Sequence, residues 1–261
     1  VYKGQSLSAD AIGHSTFPGI ILAYMAFATR SPVILLAGAI LAGAASYALI
    51  QLAHRDKRLG LDANLAIFLS GFFGLGMALK SFIQGNPDYA GASQAGLGTY
   101  IFGQAAYMLE ADVLLIAVVS ALVLTLLLLF YKELKLFVFD AEYAEVVGLP
   151  CRLLNLLLLV MTIAVIGIGI KAVGAILISS FLIIPCVAAN QWSNNFARVL
   201  LLSSLIGAVS ALVGTYISTL EQGMSTGPSI ILVASLIAFF SIVFGTKGIL
   251  GSVLKRRHAH G

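Results

Sequence analysis

The amino-acid sequence predicts an all-α integral membrane protein, a polytopic bundle of about eight membrane helices, from two observations. The first is composition: of 261 residues, 60% are hydrophobic and only 10% are charged, whereas soluble domains carry about 25% charged residues. The second is that long stretches of the chain contain no charge at all. The same composition excludes a disordered chain, a disulfide scaffold and a nucleic-acid-binding protein.

The charge-free runs predict the helices one after another. A helix of roughly 20 apolar residues crosses the hydrocarbon core of a bilayer. Seven runs are near this length, at residues 31–53, 63–79, 113–130, 153–170, 172–197, 199–220 and 222–246. A shorter run at 15–29 continues a helical pattern back to about Ser8. We interpret residues 1–261 as one transmembrane domain, and we expect one more helix upstream of Val1.

Positive charges predict the orientation of this bundle. If the loop at residues 54–58 is cytoplasmic, eight alternating helices place 12 of the 15 Lys and Arg residues on the cytoplasmic side and only Arg30, Lys80 and Lys171 outside. This orientation is favoured because cytoplasmic loops are enriched in Lys and Arg. It requires that the chain be divided into two helices at Lys171.

Asp10 and His14 are the candidate metal ligands. Their i, i+4 spacing puts a carboxylate and an imidazole on one helix face, and ionisable groups at membrane depth usually mark a transport pathway. An oxygen and nitrogen pair suits Mn²⁺, Fe²⁺ or Zn²⁺. The alternative interpretation is a carboxylate at a helix start and a histidine at the membrane interface.

Three further positions are candidates for a hinge or for the pathway. Pro18 and Gly19 follow the Asp/His pair and are expected to kink or unwind the helix, either as a hinge or as a static bend. Lys171 is either a counter-charge near the pathway or the cap of an outer helix end. Pro185 lies well inside an apolar run and is expected to kink its helix.

Residues 136–150 are predicted to form a short cytoplasmic amphipathic helix between two membrane helices. Asp140 is placed at its N-cap, and Gly148, followed closely by a proline, is placed at its end. The segment is acidic through Asp140, Glu142 and Glu145, so an anionic lipid surface would repel it. Docking into a groove of a protein partner therefore fits better than a position in the lipid headgroups.

Four stretches of the sequence carry motifs that occur together in one family. Residues 6–19 read SLSADAIGHSTFPG, 139–150 read FDAEYAEVVGLP, 173–189 read VGAILISSFLIIPCVAA and 225–229 read STGPS. In this order, and over nearly the whole chain, they resemble the membrane permeases of ATP-binding-cassette importers for manganese, zinc and iron. The sequence departs from the family pattern at Ala9, where the family usually has Gly, and after Pro185, where Cys and Val replace two Ala.

The resemblance implies the permease subunit of an ATP-driven importer of divalent transition metals in a bacterial cytoplasmic membrane. It implies that this subunit is not itself an enzyme, since two cytoplasmic ATPase subunits bind and hydrolyse the ATP. Two copies of the chain would form the pathway, and an external metal-binding protein would deliver the ion to Asp10 and His14. The residues expected to contact the ATPase are Phe139, Asp140, Glu142, Ala144 and Gly148.

The identity of the metal and one rival function stay open at this point. Residues 100–106 resemble the manganese and iron members of the family more than the zinc members, whereas Lys171 resembles zinc members, so manganese is favoured over zinc or iron. The rival function is an ion channel or an ion-coupled secondary transporter without ATPase partners. That alternative leaves the acidic cytoplasmic helix unexplained.

Overall fold

The computed structural model describes residues 6–29, 31–54, 60–86, 89, 99–221 and 223–248. These residues form helices and connecting turns, with no β-strand among them. In chain order the helices are α1 Ser6–Phe27, α2 Pro32–Ala53, α3 Leu61–Gly85, α4 Thr99–Phe102, α5 Glu110–Leu129, α6 Tyr131–Phe139, α7 Ala141–Val146, α8 Cys151–Val173, α9 Ile178–Asn190, α10 Phe196–Leu220 and α11 Thr226–Phe244. A short 3₁₀ turn, Ala105–Tyr107, lies between α4 and α5.

Six of these helices, α2, α3, α5, α8, α10 and α11, are long and apolar enough to cross a membrane. Helix α1 has 22 residues and packs among them, and α9 is a shorter apolar helix of 13 residues. Side chains such as Leu128 and Leu212 are 74% and 73% exposed, as lipid-facing residues are in a membrane bundle. The described residues thus contain six candidate membrane spans together with α1 and α9, which confirms the predicted all-α bundle.

Helix α1 lies at the centre of the bundle. It packs against α2, α3, α8 and α9, and its side chains Phe17, Ile20 and Ile21 are almost completely buried. Helices α1 and α2 approach closely, because a Cβ atom on Gly19 would lie only 2.2 Å from the carbonyl oxygen of Gly38. Small residues at such crossings let membrane helices pack backbone to backbone.

The boundary between α8 and α9 differs from the prediction. The charge of Lys171 predicts a break at that residue, but α8 continues to Val173 and α9 begins only at Ile178. Helix α8 ends because Gly174 adopts a φ of +98°, a backbone conformation that favours glycine. Helix α9 ends at Asn190, before the predicted end near residue 197, and at 1.5 Å per residue it is about 20 Å long.

The cytoplasmic segment at residues 136–150 forms two helices instead of the one predicted. Helix α6 ends at Phe139, and α7 follows after a break at Asp140. The extended backbone of Asp140 (φ −149°, ψ 88°) lets its Oδ1 accept a hydrogen bond of 2.8 Å from the backbone N–H of Tyr143. Asp140 is therefore an N-cap, as predicted, and Gly148, with a φ of +86°, follows the end of α7.

Segments that alternating helices would place at the same end of the bundle contact each other in the structure. At the end assigned to the cytoplasm, the ring of Phe196 in α10 stacks on Tyr131 and meets Phe139 edge-on, both in α6. At the opposite end, the backbone N–H of Ala175, in the turn between α8 and α9, donates a 2.7 Å hydrogen bond to the carbonyl of Tyr100 in α4. These contacts agree with a division into two helices between residues 170 and 178.

Candidate metal site

The structure brings Asp10 and His14 together on one face of α1. Nε2 of His14 lies 3.5 Å from Oδ1 of Asp10. The side chain of His14 is 11% exposed and that of Asp10 is 30% exposed, so the pair forms a partly open polar spot on a largely buried helix. A carboxylate oxygen and an imidazole nitrogen at this separation are able to bind the same cation.

Aromatic side chains form one wall of the site. The imidazole of His14 meets the ring of Phe73 in α3 edge-on, with 5.1 Å between ring centroids, and Phe17 lies beside Phe73 at 6.3 Å. The other ring nitrogen, Nδ1 of His14, is buried and has no hydrogen-bond partner among the described residues. Packing against Phe73 therefore restricts the imidazole, while Nε2 is the nitrogen on the side of Asp10.

One chain does not complete a metal site within the residues described. No group of three or more His, Cys, Asp or Glu side chains there is placed to hold a metal ion. Asp10 and His14 supply two donors, whereas Zn²⁺ takes four ligands in structural sites and Mn²⁺ prefers six. A cation bound by this pair would therefore need further ligands from outside the described side chains.

A second charged cluster lies at the outer ends of α5 and α8. Asp112 is only 3% exposed, and its Oδ2 forms an ion pair with Nζ of Lys171. The same oxygen accepts a 3.1 Å hydrogen bond from the backbone N–H of Leu109. Sequence reasoning missed Asp112 because it borders a charge-free run. The available signal was that Asp112 and Lys171 carry opposite charges at the outer ends of two predicted helices.

The ion pair borders a small cavity of about 30 Å³, which Tyr100 of α4 and Ile20 of α1 also line. Burial, and then the negative charge of Asp112, raise the pKa of Tyr100 to about 12, so this phenol stays neutral. Oδ1 of Asp112 is buried without a hydrogen-bond partner among the described residues. Because Ile20 of α1 lines this cavity, the ion pair lies near the helix that carries Asp10 and His14.

The two predicted kink positions lie within continuous helices. Pro18 is inside α1 and Pro185 is inside α9, and neither helix is unwound there. Of the two outcomes predicted for Pro18, a kink or an unwound segment, the continuous helix leaves the kink as the prediction. A hinge at this position stays a prediction. Gly19 has a second role in the close approach to Gly38.

The residues expected to contact an ATPase lie around α7, at the end of the bundle assigned to the cytoplasm. Ala144 is completely buried within the chain, whereas Phe139 is 54% exposed and Glu142 is exposed. Sequence reasoning missed two exposed apolar side chains on the same helix, Tyr143 at 55% and Val146 at 83% exposure. Helix α7 thus presents apolar and acidic side chains together on its free side.

Comparisons with known proteins decide the family. Residues 1–245 match the ABC 3 transport family. The chain belongs to this family. It is 38% identical over 258 residues to the zinc transport system membrane protein TroC of Treponema pallidum, covering 98% of this chain and 86% of TroC. It is 39% identical over 245 residues to the manganese transport system membrane protein MntC of Bacillus subtilis, covering 94% of this chain and 56% of MntC.

A solved structure agrees with this ABC 3 permease in fold. PsaBC from Streptococcus pneumoniae in complex with Fab matches with a TM-score of 0.83 and 27% identity, over 94% of this chain and 84% of that chain. The family and the fold confirm the resemblance to the permeases of ATP-binding-cassette importers for manganese, zinc and iron. The protein is a multi-pass permease of the bacterial cytoplasmic membrane.

Proposed function

We propose that this ABC 3 permease forms the membrane pathway of an ATP-driven importer of divalent transition metals, with Mn²⁺ as the favoured cargo and Zn²⁺ or Fe²⁺ as alternatives. The observation that carries the proposal is the Asp10–His14 pair, 3.5 Å apart on the central helix. Such ionisable groups are costly inside a membrane and usually belong to a pathway. A mixed oxygen and nitrogen pair suits these cations better than Mg²⁺ or Ca²⁺, which prefer oxygen ligands alone.

A second copy of the chain would complete the ligand set. Because Asp10 is 30% exposed, part of its carboxylate is open to ligands or chains outside this bundle. Two copies related by a two-fold axis would bring two carboxylates and two imidazoles to one cation. Those four donors equal the ligand number of a structural Zn²⁺ site and leave two positions of an octahedral Mn²⁺ ion for water.

Two observations support manganese as the cargo. Residues 100–106 resemble the manganese and iron members of the family, and a relative of 39% identity is a manganese transport system protein. The zinc system protein TroC is similarly close, at 38% identity, so zinc is the first alternative to test. Direct competition between Mn²⁺, Zn²⁺ and Fe²⁺ for uptake separates the three.

Removal of either ligand tests the proposed site. Asp10→Ala and His14→Ala should each abolish uptake of radiolabelled Mn²⁺ into cells or proteoliposomes that contain the complete transporter, because each leaves the cation with half of its protein donors. The matched controls are Asp62→Ala and His54→Ala, which remove the same side chains at exposed positions at the start of α3 and the end of α2. Both controls should transport normally.

The outcome that contradicts the proposal is equally clear. If Asp10→Ala and His14→Ala insert into the membrane at normal levels and still import Mn²⁺, Zn²⁺ and Fe²⁺ at the wild-type rate, the cargo site lies elsewhere. If cation flux continues when no ATPase subunit is present, the chain is instead a channel or an ion-coupled secondary transporter.

Helix α7 would connect this pathway to the ATPase. It combines exposed apolar side chains, Tyr143 and Val146, with the exposed acidic side chain of Glu142. Exposed apolar groups within an acidic surface fit a groove that has an apolar floor and basic edges. The neighbouring ring of Phe139 is 54% exposed and meets Phe196 edge-on, so it adds an aromatic surface beside α7.

Truncation of the aromatic anchor tests the coupling. Phe139→Ala should weaken the complex with the ATPase by about 2 kcal/mol, roughly a thirtyfold rise in Kd, and should uncouple ATP hydrolysis from import. Phe102→Ala is the matched control, since Phe102 is 50% exposed at the opposite end of the bundle. Affinity for the ATPase and metal-stimulated ATP hydrolysis are the measurements. Unchanged values in Phe139→Ala would remove this residue from the interface.

A further inference from the structure

Buried polar atoms without hydrogen-bond partners lie in the Asp/His segment of α1 and against it. Among the described residues they include Nδ1 of His14 and Oγ of Ser179. Ser46 of α2 also has a buried hydroxyl without a partner in the described chain, whereas the two buried hydroxyls that follow His14 are satisfied within α1. Ser15 donates to the carbonyl of Ile12 at 2.7 Å, and Thr16 donates to the carbonyl of Gly13 at 2.6 Å. Buried polar atoms are nearly always paired, so the exceptions beside a candidate site require an explanation.

Ser179 packs against Gly13, the residue that precedes His14 in α1. Ser179 is in the first turn of α9 and is 3% exposed. Its Oγ lies 3.0 Å from the point where a Cβ atom on Gly13 would stand. Gly13 is the residue immediately before His14, so the hydroxyl meets the backbone of α1 one residue away from the candidate ligand. Helices α9 and α3 thus contact neighbouring parts of this segment, α9 at Gly13 and α3, through Phe73, at His14.

A metal-bound histidine needs a hydrogen-bond acceptor for its second ring nitrogen, and the hydroxyl of Ser179 is a candidate for that acceptor. Nε2 of His14 is on the side of Asp10, so a cargo cation shared by the pair would bind Nε2. The other nitrogen, Nδ1, then carries the proton, and metal-ligating histidines almost always donate this N–H to an oxygen acceptor. The buried Oγ of Ser179, for which the described residues offer no partner, is an acceptor of the required kind, and it packs against the residue that precedes His14.

The position of Ser179 on α9 favours this role over direct binding of the cation. The first turn of a helix carries partial positive charge, which opposes a divalent cation bound to Oγ itself. A neutral imidazole N–H carries no net charge, so the same field opposes it far less.

We propose that Ser179 is a positioning residue for His14, whose hydroxyl oxygen accepts the hydrogen bond from Nδ1–H when the cargo cation is bound to Nε2. The inference rests on the proposed function, since it assigns the cation to the Asp10–His14 pair. It adds a residue that fixes the tautomer and the orientation of the imidazole. It also explains the glycine at position 13, where a side chain would push the hydroxyl away.

Affinity and stability, measured together, test the proposal. Loss of a hydrogen-bond partner of a metal ligand typically lowers metal affinity 10- to 100-fold, so Ser179→Ala in the complete transporter should raise the Kd for Mn²⁺ about tenfold or more. Removal of a buried hydroxyl without a partner should leave the thermal unfolding midpoint unchanged or higher. Ser210→Ala is the matched control, because that fully buried hydroxyl already donates to the carbonyl of Ile206, far from α1 in the chain.

A spectroscopic measurement separates positioning from a purely structural role. With Cu²⁺ as the probe ion, in a chain whose tail residues His258 and His260 are replaced by Ala, pulsed EPR detects the remote nitrogen of a metal-bound imidazole. Its quadrupole coupling reports the hydrogen bond at that nitrogen. The coupling should change in Ser179→Ala and in Gly13→Ala, which displaces the hydroxyl while keeping it, and should stay unchanged in Ser210→Ala.

Each outcome decides the inference. A weaker Kd with an unchanged unfolding midpoint and an altered remote-nitrogen coupling supports it. A wild-type Kd in Ser179→Ala, while His14→Ala abolishes binding, overturns this inference and leaves the proposed function intact. A fall in the unfolding midpoint that parallels the loss of affinity assigns Ser179 to the fold and also overturns it. Wild-type binding by His14→Ala overturns the proposed function and this inference together.

Discussion

The outer junction, where α4, the α8–α9 turn and α11 meet, differs from the Asp/His site in how its charged groups are paired. At the outer junction, α4, the turn between α8 and α9, and the start of α11 meet through backbone contacts, and Asp112 pairs with Lys171. At the site, Nδ1 of His14 and Oγ of Ser179 have no partner within the described chain. The comparison shows that, among the described residues, the junction is held by an ion pair and backbone contacts, with only Oδ1 of Asp112 left without a partner there, whereas the site has two unpartnered polar atoms and no ion pair to a neighbouring helix.

Substitutions at the junction should destabilise the protein more than substitutions at the site, and Gly227→Ala should have the largest effect. A Cβ atom there would lie 2.0 Å from the carbonyl oxygen of Val173 and 2.2 Å from that of Phe102. Since both neighbours are backbone atoms, we expect destabilisation at or above the usual 1–3 kcal/mol for overpacking, about 3 kcal/mol or more. The measurement is the yield and thermal unfolding midpoint of the purified permease.

Gly71→Ala is the control for that substitution. Gly71 lies inside α3, where a Cβ atom would meet no neighbouring group of the described chain within 4 Å. Alanine should therefore leave stability unchanged or raise it by up to about 1 kcal/mol. Equal unfolding midpoints for Gly227→Ala and the wild type would show that the junction is looser than its backbone distances indicate.

The second largest effect is expected from breaking the ion pair. Lys171→Ala leaves Asp112 buried and unpaired, which should lower the free energy of unfolding by about 3 kcal/mol, the lower end for a buried pair. The lower end applies because the Lys171 side chain is 25% exposed. The double variant Lys171→Met with Asp112→Asn removes both charges and should recover most of this loss. If Lys171→Ala is as stable as the wild type, the pair contributes no net stability.

The smallest effect on stability, and a larger one on transport, is expected from Pro18→Ala. Alanine restores a backbone hydrogen bond within α1, so the unfolding free energy should rise by about 1 kcal/mol, the net contribution of one such bond. If Pro18 is a hinge, Mn²⁺ binding should persist while uptake slows several-fold. Wild-type uptake by Pro18→Ala would leave only a static bend. Gly19 must be kept in this test, because a Cβ atom there meets Gly38.

The bundle was predictable from the sequence, but two helix ends were not. Charge-free runs locate membrane helices well because burial in lipid excludes charge along a whole span. The end of α8 depends instead on a single residue, Gly174, whose φ of +98° stops the helix three residues after Lys171. The break before α7 depends on the cap made by Asp140. Such local backbone events leave little trace in hydropathy.

The candidate site was predictable only in part, for a similar reason. Asp10 and His14 are one helical turn apart, so their spacing alone places them on one face. Ser179 and Phe73 belong to other helices and contact α1 at Gly13 and at His14. Nothing in a linear sequence indicates that α9 and α3 pack on this turn of α1. Asp112 was missed because the ion pair joins residues 59 positions apart in the chain.

The proposed cargo site and the role of Ser179 both depend on binding of the cation by the imidazole of His14. Pulsed EPR of bound Mn²⁺ detects this bond directly. The sample is the complete transporter with His258 and His260 replaced by Ala, loaded with one Mn²⁺ for every two permease chains. We expect nitrogen coupling from imidazole on the Mn²⁺ ion, retained in His54→Ala and lost, together with the bound ion, in His14→Ala. Tightly bound Mn²⁺ without nitrogen coupling, or coupling that persists in His14→Ala, would contradict the assignment.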